Sequence, residues 1–170
     1  MKYVNDYNSP LGRIVLAADD EGLSGLWFEG QKYFGAGLAK DARQHDSAIF
    51  DDAKRRLDEY FAGRQPNFIP KLQFVGTEFQ RRVWRLLLLI PRGTTMTYGG
   101  LARAINMRSA RAIGGAVARN KISIIVPCHR VIGAKGRLLG YSGGLDKKTR
   151  LLELEGITVV NDGRSVRLGI

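Results

Sequence analysis

Ile124-Ile125-Val126-Pro127-Cys128-His129-Arg130-Val131 is the stretch on which the reading of this chain turns. It holds the single cysteine of the 170 residues and one of the two histidines. A β-branched apolar run reads as a buried strand, and Pro127 interrupts its ladder. The thiol of Cys128 is therefore expected where a buried strand ends. A soft nucleophile at such a place is a candidate reaction centre; a lone free cysteine also serves as a small core hydrophobe. In an extended segment, sequential side chains point to opposite faces, so a direct Cys128–His129 dyad is not expected. The histidine could take the thiol proton through one water if a carboxylate such as Glu155 oriented it.

Working outward, Ile132 to Arg137 reads as a turn, and Leu139-Gly140-Tyr141-Ser142-Gly143-Gly144 as a glycine-rich loop able to approach a flat ligand closely. Asp146 is the expected cap of a helix carrying Leu151, Leu152 and Glu155 and closed by Gly156. Residues 157–168 read as a small hairpin around Asn161-Asp162-Gly163. Upstream, Thr77 followed by Gln80 is a capping box, opening a helix with an apolar stripe of Phe79, Val83, Leu86, Leu87 and Ile90. A helix–turn–helix follows: residues 97–105, a turn at Asn106-Met107-Arg108, and a second helix from Ser109 towards Asn120. That second helix is rich in small residues, Ala110, Ala112, Gly114, Gly115, Ala116 and Ala118. Two adjacent glycines cost on the order of 2 kcal/mol of helix stability. Something must approach this backbone closely, either a packed helix or a ligand. Arg108, Arg111 and Arg119 favour DNA.

The first half has a different grammar. Residues 3–28 alternate apolar and polar with turns at Ser9-Pro10-Leu11-Gly12 and Asp19-Asp20-Glu21-Gly22, which predicts an antiparallel meander. Residues 29–45 give no assignment. From Asp46 a helix carries Ile49, Phe50, Ala53, Leu57, Tyr60 and Phe61 on one face and stops at Gly63. Residues 65–74, with Pro66 and Pro70, read as an extended connector. The expected division is therefore 1–76 and 77–170.

Charge separates the same two halves. Residues 1–76 hold 10 Lys and Arg against 11 Asp and Glu, whereas 77–170 hold 17 against 5. A segregated basic half points to a polyanion, with nucleic acid the leading candidate. The longest apolar run, Leu86 to Ile90, is too short to span a bilayer, and the first residues lack a signal-peptide core. One cysteine and two histidines allow no internal disulfide and supply no zinc set. A free thiol fits a reducing compartment, so the expected location is the cytoplasm.

Pro127-Cys128-His129-Arg130-Val131, Gly140 to Gly144, Leu151-Leu152 and Glu155-Gly156 together resemble the O6-alkylguanine-DNA alkyltransferase family. Phe79-Gln80, Val83-Trp84, Ile90-Pro91, Thr97-Tyr98-Gly99, Arg111-Ala112, Gly114-Gly115 and Asn120 fall in that family's order. The resemblance covers residues 77–156. It implies an α+β fold: a ribonuclease-H-like antiparallel meander with a helix, then a mostly helical domain with a helix–turn–helix and the reactive cysteine. It implies irreversible transfer of an alkyl group from O6-alkylguanine, with O4-alkylthymine as a second lesion, to Cys128. His129 would be the base through water and Glu155 its orienter. Tyr98 would serve the leaving guanine, and Arg111 would fill the vacated base stack. Ala110, Gly114, Gly115, Ala118 and Arg119 would meet the minor groove of double-stranded DNA, with single-stranded DNA a further substrate. Asn120 would brace the cysteine segment; Val131, Tyr141, Ser142 and Ser123 would line the pocket and its hinge. Lys121 and Ser123 stand where the human member has prolines. No metal, no cofactor and a monomer are implied. The competing readings are an alkyltransferase-like lesion binder, which lacks the cysteine, a helix–turn–helix regulator, and a thiol hydrolase.

Overall fold

A computed structural model describes residues 1–169. The chain forms two compact units, Met1–Gly76 with Lys121–Ile125, and Thr77–Asn120 with Val126 onward.

In the first unit, β1 (Tyr3–Ser9), β2 (Gly12–Asp19) and β3 (Gly22–Phe28) form the expected antiparallel meander. A two-residue strand, β4 (Arg43–Gln44), runs parallel to β1 and gives the order β3-β2-β1-β4. Helix α1 (Ala48–Phe61) starts at Ser47, whose side chain accepts from the Phe50 amide, and buries Phe50, Ala53, Leu57 and Tyr60. Gly25 is required where it stands: a Cβ there would come within 2.2 Å of the Trp27 ring. The outer edge of β3 is covered twice. Residues 71–73 bond Leu23 on both sides, and the Lys121 carbonyl and Ser123 amide do the same for Leu26. An exposed strand edge invites further backbone pairing. This pairing draws 121–125 into the first unit, whereas the expected division left it in the second.

The second unit begins with α2 (Glu78–Leu87). Its capping box is complete, Thr77 and Gln80 exchanging two 3.1 Å bonds. After β5 (Met96–Thr97) come α3 (Tyr98–Ala104) and α4 (Ala110–Ala118), the helix–turn–helix, with Ser109 capping α4. The Trp84 indole N–H donates to the Ala116 carbonyl at 2.9 Å, which fixes the buried side of α4 (Ile113, Ala116, Val117) against α2. The chain continues through a 3-10 turn at Cys128–Arg130, β6 (Val131–Ile132), a second 3-10 turn at Ala134–Gly136, α5 (Leu145–Leu154), and the hairpin β7 (Val159–Asn161) and β8 (Val166–Leu168). No helix among the described residues is long and apolar enough to cross a membrane.

Two local expectations are corrected. The run Ile124–Val126 is buried but is not a strand. Ile124 has φ +70°, a left-handed conformation that breaks any extended run, and Cys128 opens a 3-10 turn instead. Asp146 does not cap α5. The cap is Gly144 at φ +94°, with no side-chain bond, and Asp146 lies in the first turn, where its charge suits the helix dipole.

Candidate active site

A two-residue parallel ladder organises the site. Met96 pairs with Val131 and Thr97 with Ile132. Tyr98 directly follows one strand and Cys128–Arg130 directly precedes the other, so residues thirty apart in sequence reach one place. Asn120, at the far end of the helix–turn–helix, completes the setting. Its side-chain amide donates to the Val126 carbonyl at 2.9 Å and to the Cys128 sulfur at 3.1 Å. Cys128 is buried, and burial pushes its thiol up. The Asn120 hydrogen bond, the Lys148 charge and the Tyr141 hydroxyl act against that rise without cancelling it. The resting group at neutral pH is therefore a thiol that needs a base.

Behind it stands a buried ionic cluster. His129 Nε2 lies 2.5 Å from Glu155 Oε2. Arg130 Nε donates to Glu155 Oε1 at 2.7 Å and its Nη2 to Oε2 at 3.2 Å, while Nη1 donates to the Ile90 carbonyl at 2.6 Å. The Gly93 amide adds a 3.1 Å bond to Glu155 Oε1. Burial would raise the Glu155 carboxyl, but the hydrogen bonds and charges of His129 and Arg130 outweigh it and hold it well below the usual carboxylate range. Burial lowers His129 despite its carboxylate partner. A neutral imidazole that donates Nε2–H to Glu155 keeps its lone pair on Nδ1, which makes it a base.

Lys148 and Arg130 had no role in the sequence reading. Lys148 is fully buried on α5, and its ammonium donates to the Val131 carbonyl at 2.6 Å. Burial pushes it down to about 8, against the opposing pull of Cys128. The signal was available: Lys148, Leu151, Leu152 and Glu155 stand at i, i+3, i+4 and i+7, so both ionisable residues sit on the apolar stripe.

The remaining residues form a groove of about 810 Å³, with Tyr98, Arg111 and Gly114 on one wall and Gly133, Lys135 and Leu139 on the other. Tyr98 is half-buried; burial, then the charge of Cys128, raises its hydroxyl. Ala110 and Arg111 are exposed, as is Arg119 at the end of α4; Gly114, Gly115 and Ala118 are half-buried. A Cβ built on Gly114 or Gly115 meets no atom of the described residues closer than 3.9 Å. Internal packing therefore does not demand either glycine. Gly115→Ala is expected to raise the melting temperature, by up to about 1 kcal/mol of added stability, and to weaken duplex binding; a parallel thermal melt and binding titration read both signs. Ser142 Oγ donates to the Ala118 carbonyl at 2.7 Å and ties the pocket loop to α4. Tyr141 reaches Cys128. Ser123 is buried, and its amide donates to the Leu26 carbonyl.

With this geometry in hand, comparison with known proteins is decisive. Residues 78–157 match the 6-O-methylguanine DNA methyltransferase DNA binding domain, and residues 2–74 match that family's ribonuclease-like domain. The chain belongs to the 6-O-methylguanine DNA methyltransferase family. It is 48% identical to a methylated-DNA--protein-cysteine methyltransferase of Methanosarcina acetivorans over 91% of this chain and 98% of that one. It is 44% identical to the protein of the same name from Mycobacterium leprae, over 91% and 93%. Among solved structures, Mycobacterium tuberculosis OGT in complex with DNA superposes with a TM-score of 0.80 at 42% identity, covering 90% of this chain and 92% of that one. Membership accounts for the α+β architecture, including a first half in which the sequence carries no sharp motif.

Proposed function

We propose that this protein repairs alkylated DNA by moving the alkyl group of O6-alkylguanine onto Cys128, once per molecule. The observation that carries this reading is the buried Cys128 sulfur, held by Asn120 beside a base, His129, that is fixed by a buried carboxylate. The names of the relatives agree with it. In this reading DNA lies along the groove walled by α3 and α4. The small residues Ala110, Gly114, Gly115 and Ala118 admit the minor groove, Arg119 contacts phosphate, and the damaged base turns out of the duplex because sulfur cannot reach an O6 substituent in line inside the stack. Arg111 fills the place it leaves. The Val131 backbone, Tyr141 and Ser142 face the base. His129 Nδ1 takes the thiol proton through a water. The Sγ–C bond forms as the C–O6 bond breaks, and the electron pair passes to guanine, which receives a hydrogen bond or proton from Tyr98. Lys148 supplies positive charge near the thiolate while it exists, and Asn120 keeps the sulfur in line. O4-alkylthymine is the second lesion expected to react.

A thioether is not an ester that water or His129 could hydrolyse, and the chain has no second cysteine to resolve it. Incubation with excess duplex carrying O6-methylguanine should therefore plateau at one methyl group per protein, located by mass spectrometry on the peptide containing Cys128. Sustained turnover with unmodified protein recovered would overturn this function. A lesion-binding protein without transfer would leave the mass unchanged.

A further inference from the structure

The terminal hairpin lies beyond the residues matched by the family's DNA-binding domain, which end at 157. It is fastened to the loop that forms one wall of the groove. The Leu138 amide donates to the Val166 carbonyl at 2.7 Å, and Arg137 pairs with Arg167 across an antiparallel bridge, so residues 137–138 act as a third strand beside β8. Underneath, Ile157, Val159, Val166 and Leu168 pack on a small core of Ile132, Leu138 and Leu152. Strand alternation then sends Arg167 outwards, where it borders a cavity of about 570 Å³ together with Lys135, Val160 and Thr158. Lys135 borders both this cavity and the groove of the active site, so the two adjoin at that residue.

Two features of this surface oppose folding. Arg137 and Arg167 stand directly opposite in register, both exposed, and like charges so placed destabilise a sheet. Lys135 holds φ +59°, a conformation that favours glycine or asparagine. Arg164 adds a fourth exposed cation. The single carboxylate of the hairpin, Asp162, accepts bonds from the Arg164 and Ser165 amides at the tip and is held low by them first, with a smaller pull from Arg167. Facing cations and a strained lysine, adjoining the proposed DNA groove, have a common explanation in a bound anion.

We propose that Lys135, Arg137 and Arg167 form a phosphate-contacting strip that extends the groove and takes the backbone of the same duplex beyond the lesion. The proposal rests on the DNA-repair reading. Its test is the double variant Arg137→Gln/Arg167→Gln with the charge-keeping pair Arg137→Lys/Arg167→Lys as control. Binding is measured against salt on lesion duplexes of ~24 and ~8 base pairs, each lost phosphate contact flattening the log–log slope by about 0.9. On the long duplex, the glutamine pair should flatten the slope by about 1.8, binding about 10-fold more weakly than the unaltered protein at low salt, with the deficit closing towards moderate salt. The lysine pair should restore both. Binding of the short duplex and the transfer rate at saturating DNA should stay as in the unaltered protein, and the glutamine pair should melt no lower than it. An unchanged slope on the long duplex, or equal losses on both lengths, overturns the strip. Failure of the unaltered protein to bind either duplex overturns the DNA reading itself.

Discussion

Cys128→Ser abolishes alkyl transfer and leaves the Kd for a lesion-bearing duplex within a few-fold of the unaltered protein. The two halves of that result have separate physical origins. In the proposed function affinity would come from cations and small residues on α3, α4 and the facing loop, none of which the substitution touches, and duplex binding is dominated by counterion release. Reaction comes from one sulfur. A serine Oγ can still accept the Asn120 amide that now reaches Sγ at 3.1 Å, so the local frame survives. Its hydroxyl, however, is a far weaker acid than a thiol and a poor nucleophile towards a saturated carbon, and His129 through water cannot activate it enough. Gel shift on the duplex and intact-mass measurement after incubation read the two halves. Loss of binding in step with loss of transfer would mean that Cys128 holds the DNA surface together rather than reacting.

Glu155→Gln should be the most damaging substitution for fold and chemistry together. The glutamine keeps the shape but not the charge, and Arg130, only 11% exposed in its side chain, would lose its ionic partner. Removing one member of a buried pair costs about 3–5 kcal/mol. His129 would lose its charged acceptor and compete with Arg130 and the Gly93 amide for the single oxygen that remains, and transfer should fall by about 10²–10⁴, the range of a positioned general base. The pH dependence separates this ionic role from simple packing. The folded carboxyl of Glu155 lies below its ordinary 4.5, so its stabilisation is complete above that value and is lost as the pH falls beneath it. His129 also lies below its ordinary 6.5. The unfolded chain accepts a proton there that the folded chain refuses, so stability drops as the pH falls through 6.5. Denaturant titrations should find a plateau between 6.5 and about 8, where Lys148 begins to titrate, one decline below 6.5 and a steeper one below 4.5. The Glu155→Gln variant should lack the steeper limb, and its persistence would assign that limb to other carboxylates.

Much of the site was written in local sequence. Thr77 with Gln80, Ser109, and the run of small residues on α4 are signals whose physics acts within a turn of helix, and each element formed where expected. The quoted octapeptide marked Cys128 as a candidate nucleophile beside His129, whereas the role of Glu155 as the orienting carboxylate came from the family resemblance. The sequence misled where a local rule met a stronger tertiary demand. A run of Ile and Val favours a strand, yet Ile124 turns left-handed. Asp146 is a good cap residue, but a glycine at φ +94° starts α5 in its place.

What the chain determined by itself was the meander, the main helices, the candidate nucleophile and the segregation of positive charge, because propensity, capping and charge are properties of neighbours in sequence. What only the tertiary structure decided was which distant groups share one dielectric environment. The pairing of Met96–Thr97 with Val131–Ile132 brings Tyr98 to the cysteine segment. The packing of α5 buries Lys148 and Glu155. The edge of β3 pairs with Lys121 and Ser123, roughly a hundred residues away in sequence. Desolvation and ion pairing, which set the protonation of Cys128, His129, Lys148 and Glu155, depend on atoms far apart along the chain and exist only once those contacts close.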